Sequence, residues 1–291
     1  ERSMVRDTSR VQPLVSVVVP VFNGMPHLRD LTESILAQTY ENLEIVFSEG
    51  GGSDGSADYL ATITDPRVRI IQQPKGTGAA GNWTAVTNEA HGEFTKLVCQ
   101  DDLMAPDAIA KQVADLQAND DAVMAIAQRD VVDAKGNLLY AKRGLSGLKG
   151  SRMNGDDVIR AAYLLGGNPI GEPVAVLFRT EALKAAMPWR DDNPLMLDLS
   201  TYEQVAPTGT VVLRRESIGA FRVSTSSWST RLAKVQLEQT KQWQDRYAST
   251  ANPTPSATER IRATIGRHKQ VNQRRAAYAV LRAKGAFHTA D

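Results

Sequence analysis

An α/β fold is predicted here: a Rossmann-type, mainly parallel sheet flanked by helices, with a helical C-terminal extension. Three observations predict it. Apolar runs too short and too continuous for exposed elements recur at Val15–Val21, 43–47, 68–71 and 94–99, and read as buried strands. Helix-prone stretches separate these runs, which implies right-handed βαβ crossovers. Past residue 228 the alternation stops and only helical periodicity remains.

Taken in order, Gly24-Met25-Pro26 opens a helix whose apolar face is Leu28, Leu31, Ile35 and Leu36, spaced by three and four. Residues 57–64 and 82–90 have helical character. Pro106 sits at a helix start continued by 108–116. A strand over 123–127 follows, then a hairpin in which Asp133-Ala134-Lys135-Gly136-Asn137 joins 130–132 to 138–140. The polar, Gly-rich stretch 141–153 reads as a mobile loop. Asn154 caps a helix carrying Val158, Ile159, Ala162 and Leu165. Strands over 174–178 and 211–213 flank a helical 194–205. Trp228, Leu232, Val235, Trp243 and Tyr247 fall on one helical stripe, residues 252–255 break it, and a last helix begins near Ala257.

Composition narrows the function. With 42% hydrophobic and 23% charged residues, the 291-residue chain has the make-up of an ordinary globular protein with ample core. A net charge of +1 argues against a dedicated nucleic-acid binder. The single cysteine, Cys99, allows no internal disulfide and fits a reducing compartment. No apolar stretch approaches the ~18 residues of a spanning helix, and Glu1-Arg2-Ser3-Met4 has no signal-peptide core. The expected location is the cytoplasm.

Ligands of open parallel sheets bind at the carboxyl ends of the strands. Two such ends carry acids here. The second strand runs into Glu49-Gly50-Gly51-Gly52-Ser53-Asp54-Gly55-Ser56, and the fourth into Gln100-Asp101-Asp102. Carboxylates there suit a hard divalent cation, and such a cation suits a substrate diphosphate. The plain alternative for Asp101 and Asp102 is a solvated loop that caps the helix after Pro106. Gly76-Thr77-Gly78-Ala79-Ala80-Gly81 matches a dinucleotide fingerprint literally, with Asp101 twenty residues past its last glycine. It follows the third strand rather than the first, so a glycine-rich loop beside a diphosphate is the preferred reading over a nicotinamide site.

The succession of motifs resembles the family-2 type of inverting GT-A glycosyltransferases. Pro20, Phe22 and Asn23 match that family's Pro-x-(Tyr/Phe)-Asn after the first strand. Ser53-Asp54-Gly55-Ser56 matches the later half of its Asp-Asp-Gly-Ser-x-Asp-Gly-(Ser/Thr), with Glu49 and Gly50 in place of two acids. Cys99-Gln100-Asp101-Asp102 stands at its metal-binding Asp-x-Asp, with cysteine as the first residue. Ala90-His91-Gly92-Glu93-Phe94 is similar to its fourth-strand entry, and Phe221-Arg222-Val223-Ser224 to its (Tyr/Phe)-Arg-x-His close. The likeness covers residues 14–110 well and 165–230 more loosely.

The resemblance implies a nucleotide diphosphate sugar as donor and Mn²⁺ or Mg²⁺ as cofactor. Asp101 and Asp102 would hold the metal. Pro20, Phe22, Asn23, Glu49, Lys75, Asn82, Gln100, Asp101 and Arg222 would contact the donor, with Glu49 on the nucleotide base and Arg222 on the diphosphate. Asp198, in Leu197-Asp198-Leu199, stands where the family places its general base; a helix cap is the equal alternative. Glu172, before the 174–178 strand, is the reserve base. The domains would be 1–229, a GT-A domain with a nucleotide-sugar half (14–102) and an acceptor half (103–229), then the extension 230–291.

The acceptor would be a hydroxyl of a glycan, a lipid-linked molecule or a small molecule. The last helix carries Arg260, Arg262, Arg267, Lys269, Arg274, Arg275, Arg282 and Lys284 against one acid, Glu259. It is a candidate for contact with a partner or with anionic lipid at the inner face of the membrane, against the plainer reading of a solvated helix packed on its own domain. Two rival functions remain, a non-catalytic nucleotide-sugar-binding module and a nucleotidyltransferase. For the latter, Phe22-Asn23-Gly24-Met25-Pro26 lacks the glycine- and lysine-rich phosphate loop.

Overall fold

A computed structural model describes residues 12–223, 235–283 and 285. Ten strands form one sheet: β1 (Val15–Val21), β2 (Leu43–Glu49), β3 (Val68–Gln72), β4 (Phe94–Leu97), β5 (Leu103–Met104), β6 (Ala122–Val132), β7 (Leu138–Arg143), β8 (Arg152–Asn154), β9 (Val176–Arg179) and β10 (Thr210–Arg222). The principal helices are α1 (His27–Leu36), α2 (Ser56–Leu60), α3 (Gly78–Asn88), α4 (Ala108–Gln117), α5 (Gly155–Leu165), α6 (Thr180–Ala185), α7 (Leu197–Val205), α8 (Gln236–Thr250) and α9 (Ala257–Ala283).

The strand order is β3-β2-β1-β4-β9-β6-β10-β5. β3, β2, β1 and β4 run parallel, as expected of βαβ units, and β6 and β10 are parallel to each other. β9 lies antiparallel between β4 and β6 and joins the two parallel groups. The polar ends of β1, β2 and β4 therefore open on one edge of the sheet.

Alternation along β1 shows why its run is almost continuously apolar. Val15, Val17, Val19 and Val21 enter the core with Leu28, Leu31 and Ile35 of α1 and Ile109, Val113 and Leu116 of α4. Val18 enters the opposite core with Val46, Leu97, Phe178 and Tyr202. A strand covered by helices on both faces has no side that tolerates a charge. The result is a three-layer α/β/α arrangement.

Several elements differ from the sequence expectation. Residues 173–175 form a 3-10 turn, so the strand expected at 174–178 is Val176–Arg179. The short strand at 211–213 belongs to the 13-residue β10, which is pinned by β6, β8 and β5. The stretch read as a loop over 141–153 gives its ends to β7 and β8. Its few apolar residues concealed those edge pairings. Asn154 does cap α5: its side chain accepts from the Asp156 amide at 2.9 Å.

The C-terminal helices share the main core. Trp243 of α8, 0% exposed, and Ala263 of α9 pack in the cluster that holds Tyr202, Phe178 and Tyr163. Arg267 is buried and donates to Gln244 Oε1 at 2.6 Å, while Glu259 pairs with Arg160 of α5. Arg260, Arg262, Lys269, Arg275 and Arg282 stay exposed. Trp228, Leu232, Lys284 and the 229/230 boundary lie outside the described residues.

Trp243→Ala is expected to cost about 3–5 kcal/mol, the usual cost of emptying a large buried aromatic site, read by urea unfolding. A cost below about 1 kcal/mol would mean that α8 is not part of the main cooperative core.

Candidate active site

The rim of the cleft is built by polar side chains that tie the strand ends together. Gln100 Oε1 accepts from the Phe22 amide at 2.8 Å, and its Nε2 donates to the Phe22 carbonyl at 2.9 Å. This two-point clamp holds the loop after β1 beside the end of β4 and leaves the Phe22 ring 56% exposed. Asn82, at the buried face of α3, donates to the carbonyls of Val21 and Ser48 at 3.1 and 3.2 Å, joining the ends of β1 and β2. Its Oδ1 is buried without a hydrogen-bond partner among the described residues.

The loop after β2 closes on itself. Glu49 is buried, and its two carboxylate oxygens accept from the amides of Gly51 and Gly52 at 2.9 and 2.8 Å. Asn23, in the left-handed region at φ 51°, accepts from the Ser53 amide at 2.8 Å. A Cβ at Gly52 would lie 2.6 Å from Asn23 Oδ1, so the contact requires glycine. Gly51 is similarly backed by Lys75, whose Cγ would lie 2.8 Å from an added Cβ. Asp54 accepts from Ser56 and from the Met25 amide, which binds this loop to the start of α1.

Asp101 and Asp102 stand where β4 gives way to β5. Asp102 is 0% exposed; its Oδ1 accepts from the Arg222 amide at 3.2 Å, and its Oδ2 is buried without a hydrogen-bond partner among the described residues. Burial, reinforced by the carboxylates of Asp101 and Glu172, pushes the Asp102 carboxyl well above the usual range. Burial likewise pushes the Cys99 thiol up, and Asp102 and Asp101 add to it. Arg222, 2% exposed, donates to the carbonyls of Asp101 and Ala134 and to Asp30 of α1 at 2.9, 3.1 and 2.9 Å.

Two further acids face the same space. Asp198 is the second residue of α7, with Oδ1 accepting from the Leu199 amide at 2.7 Å and Oδ2 from Asn168 Nδ2 at 2.9 Å. Burial, only partly offset by these bonds, pushes its carboxyl up to about 7. At Glu172 burial acts in the same direction. There the bonded Arg129 guanidinium outweighs it and holds the carboxyl below its ordinary value.

These elements enclose a cavity of about 480 Å³. Of the expected residues, Pro20, Phe22, Asn82, Gln100, Asp101, Asp102, Glu172 and Asp198 line it. Asn23, Glu49, Lys75 and Arg222 are not on its wall. Glu49 and Arg222 are drawn away by backbone amides and carbonyls that need partners, a demand invisible in a linear motif. Gly76, in the loop after edge strand β3, and Gly78, the first residue of α3, reach the wall there, not from the turn after β1 that a dinucleotide fingerprint occupies. Ser224 lies outside the described residues.

Among the lining residues that sequence reasoning did not place at the site are Trp83, Phe221, Gln236 and Arg274. It also missed Arg129, although a cation inside the apolar run of β6 was a readable signal. Among the described residues no group of three or more His, Cys, Asp or Glu is arranged to hold a metal, and no helix is long and apolar enough to cross a membrane.

The model of glycosyl transferase family 2 matches residues 16–186, more than half of the chain. The chain belongs to glycosyl transferase family 2. A family relative from Streptococcus pneumoniae, the glycosyltransferase GlyG, is 31% identical over 45% of this chain and 44% of its own length. A protein of Mycobacterium tuberculosis is 27% identical over 80% of this chain and 74% of its own. Against three rickettsial glycosyltransferases the chain spans only 21% to 40% of their length.

Among solved structures, Staphylococcus aureus TarS 1–349 superposes with a TM-score of 0.64 at 13% identity, over 87% of this chain and 71% of that one. The mannosyltransferase PcManGT of Pyrobaculum calidifontis, solved with GDP-Man and Mn²⁺, superposes at 0.58 and 17% identity, over 94% and 81%. At these identities the likeness shows the GT-A fold that the family membership already requires.

Arg129→Met is expected to destabilise the protein by roughly 3 kcal/mol, the lower end for a broken buried pair, because Glu172 keeps some solvent contact. The Arg129→Met, Glu172→Gln double variant is expected to recover part of that loss in chemical unfolding. A double variant no more stable than the single one would mean that the pair carries no coupling.

Proposed function

We propose that this cleft transfers a sugar from a nucleotide diphosphate sugar to an acceptor hydroxyl, with inversion at the anomeric carbon. One observation carries the reading: an acid raised to about 7, Asp198, shares a single cavity with the acid pair at the end of β4. A general base works best when its pKa lies near the working pH. Glu172, held low by Arg129, is the weaker base, and its ion pair suits it to positioning Arg129 and the loop before β9.

Asp198 would take the proton of the acceptor hydroxyl as the acceptor oxygen bonds to the anomeric carbon. The bond from that carbon to the diphosphate breaks on the opposite side, and its electron pair leaves with the nucleotide. Hydrogen bonds from Asn168 and the Leu199 amide hold the carboxylate in place for this step. On the donor side the exposed ring of Phe22 offers a stacking surface for the base, and the unpartnered Asn82 Oδ1 offers an acceptor. Structural neighbours solved with UDP-GlcNAc and GDP-Man support this donor class.

Asp101 and Asp102 fit a divalent cation, because the Asp102 Oδ2 is a buried carboxylate oxygen with no hydrogen-bond partner among the described residues. Two carboxylates leave the other positions to the diphosphate and water, as is usual for Mg²⁺ or Mn²⁺. The cation would neutralise charge on the departing diphosphate.

Release of nucleotide diphosphate from a panel of UDP-, GDP- and dTDP-sugars tests the reading. Asp198→Asn is expected to lower transfer by ~10² to 10⁴ while donor affinity stays unchanged. Asp198 must be ionised to act, so the wild-type rate is expected to rise with pH, reach half its plateau near 7 and level off above. The groups facing it are Glu172, Arg129, Arg274, Tyr202 and Cys99. If Glu172→Gln silences transfer while Asp198→Asn stays active, the base is Glu172. A protein that binds donors but turns over none is the non-catalytic module.

Asp102→Ala is expected to remove any Mn²⁺-dependent gain in UDP or GDP affinity and to leave the protein folded. A folded variant that still binds nucleotide more tightly with Mn²⁺ would count against the metal assignment.

A further inference from the structure

Arg274 comes from the last helix, far from every motif of the donor half, yet it lines the same cavity as Asp198, Glu172 and Asn168. Its arrival there is set by the packing of α9 on α5. A Cβ at Gly166, which ends α5 at φ 66°, would lie 2.3 Å from the Arg267 backbone nitrogen, so the two backbones touch. Arg267 and Val271 are buried on this face. Arg274 follows Arg267 by two helical turns and so projects from the same side, over the cleft.

The charge of Arg274 is not consumed locally. Glu172 is already ion-paired with Arg129, and Asp198 takes its hydrogen bonds from Asn168 and its own helix. Arg274 makes no hydrogen bond or ion pair within contact distance among the described residues. Its field still reaches Glu172 and Asp198, which places it on the side of the proposed base. Gln236, at the start of α8, lines the same cavity with its Oε1 buried and unpartnered among the described residues.

We propose that Arg274 and Gln236 make the C-terminal helices part of the acceptor subsite, in which Arg274 takes an anionic group of the acceptor, a carboxylate or a phosphate. The inference rests on the transferase reading only in calling the occupant an acceptor. A guanidinium binds either oxyanion through two parallel N–H···O bonds, and the surrounding apolar wall of Leu195, Met196 and Phe221 strengthens that attraction. Gln236 would accept a neighbouring hydroxyl. The acceptor is then an acidic or phosphorylated glycoside rather than a neutral one.

The test is titration calorimetry of the full chain with methyl glucoside, methyl glucuronoside and methyl glucoside 6-phosphate, in parallel with UDP and GDP. At least one anionic glycoside is expected to bind about tenfold or more tightly than the neutral one, the factor typical of a single hydrogen bond to a charged group. Arg274→Gln is expected to erase that preference and leave nucleotide affinity unchanged, whereas Arg275→Gln, an exposed neighbour on the same helix, keeps it. A preference for the glucuronoside or for the phosphate tells which oxyanion is taken. Equal binding of all three glycosides, binding of none, survival of the preference in Arg274→Gln, or its loss in Arg275→Gln overturns the inference. Wild-type protein that binds neither UDP nor GDP would sink the donor reading while leaving the Arg274 comparison intact.

Discussion

Arg222 is the residue through which the two halves of the cleft are held in register. Its backbone amide bonds the Asp102 carboxylate, and its side chain bonds the Asp101 carbonyl, the Ala134 carbonyl in the β6–β7 turn and Asp30 on α1. Three elements distant in sequence, the end of β4, the β6–β7 turn and α1, thus meet on one nearly inaccessible guanidinium. Removing such a cation from water is costly unless its donors are satisfied. That demand fixes where the end of β4 lies relative to the end of β10. The acid pair is therefore presented by the tertiary fold and not by a flexible loop.

The second constraint is the unequal treatment of two acids in the cleft, Glu172 and Asp198. Glu172 and Asp198 both lose water, which alone would raise both. Arg129 is bonded to Glu172 and reverses the effect there; Asp198 has only neutral hydrogen-bond donors and stays near 7. Environments that push two like groups apart are how one site divides acid–base roles. The division depends on β6, which delivers Arg129, and on α7, which delivers Asp198.

Much of the N-terminal parallel sheet was legible in sequence because its signals are local. The run Val15–Val21 is apolar at every position but Ser16 and Pro20, because both of its faces are covered. Phe22, Asn82, Gln100 and the acid pair reach the cleft because they sit at strand ends or on the face of the following helix, positions that periodicity identifies. Glu49 and Lys75 also sit at such positions yet do not line the cavity. Two glycine amides claim Glu49, and Lys75 packs against Gly51.

The sequence by itself determined the parallel N-terminal sheet, the order of its polar ends and the acids available, since each depends on residues within a few positions of one another. Only the tertiary structure decided which acids face the cavity, how Arg129 separates Glu172 from Asp198, and that α8 and α9 bring Gln236 and Arg274 to the same site. Arg274 is one of eight Lys and Arg residues from position 257 onward, and nothing in their spacing distinguishes it. Its position follows from the close contact of α9 with Gly166. Such long-range packing depends on shapes far apart in the chain, which no local pattern of residues encodes.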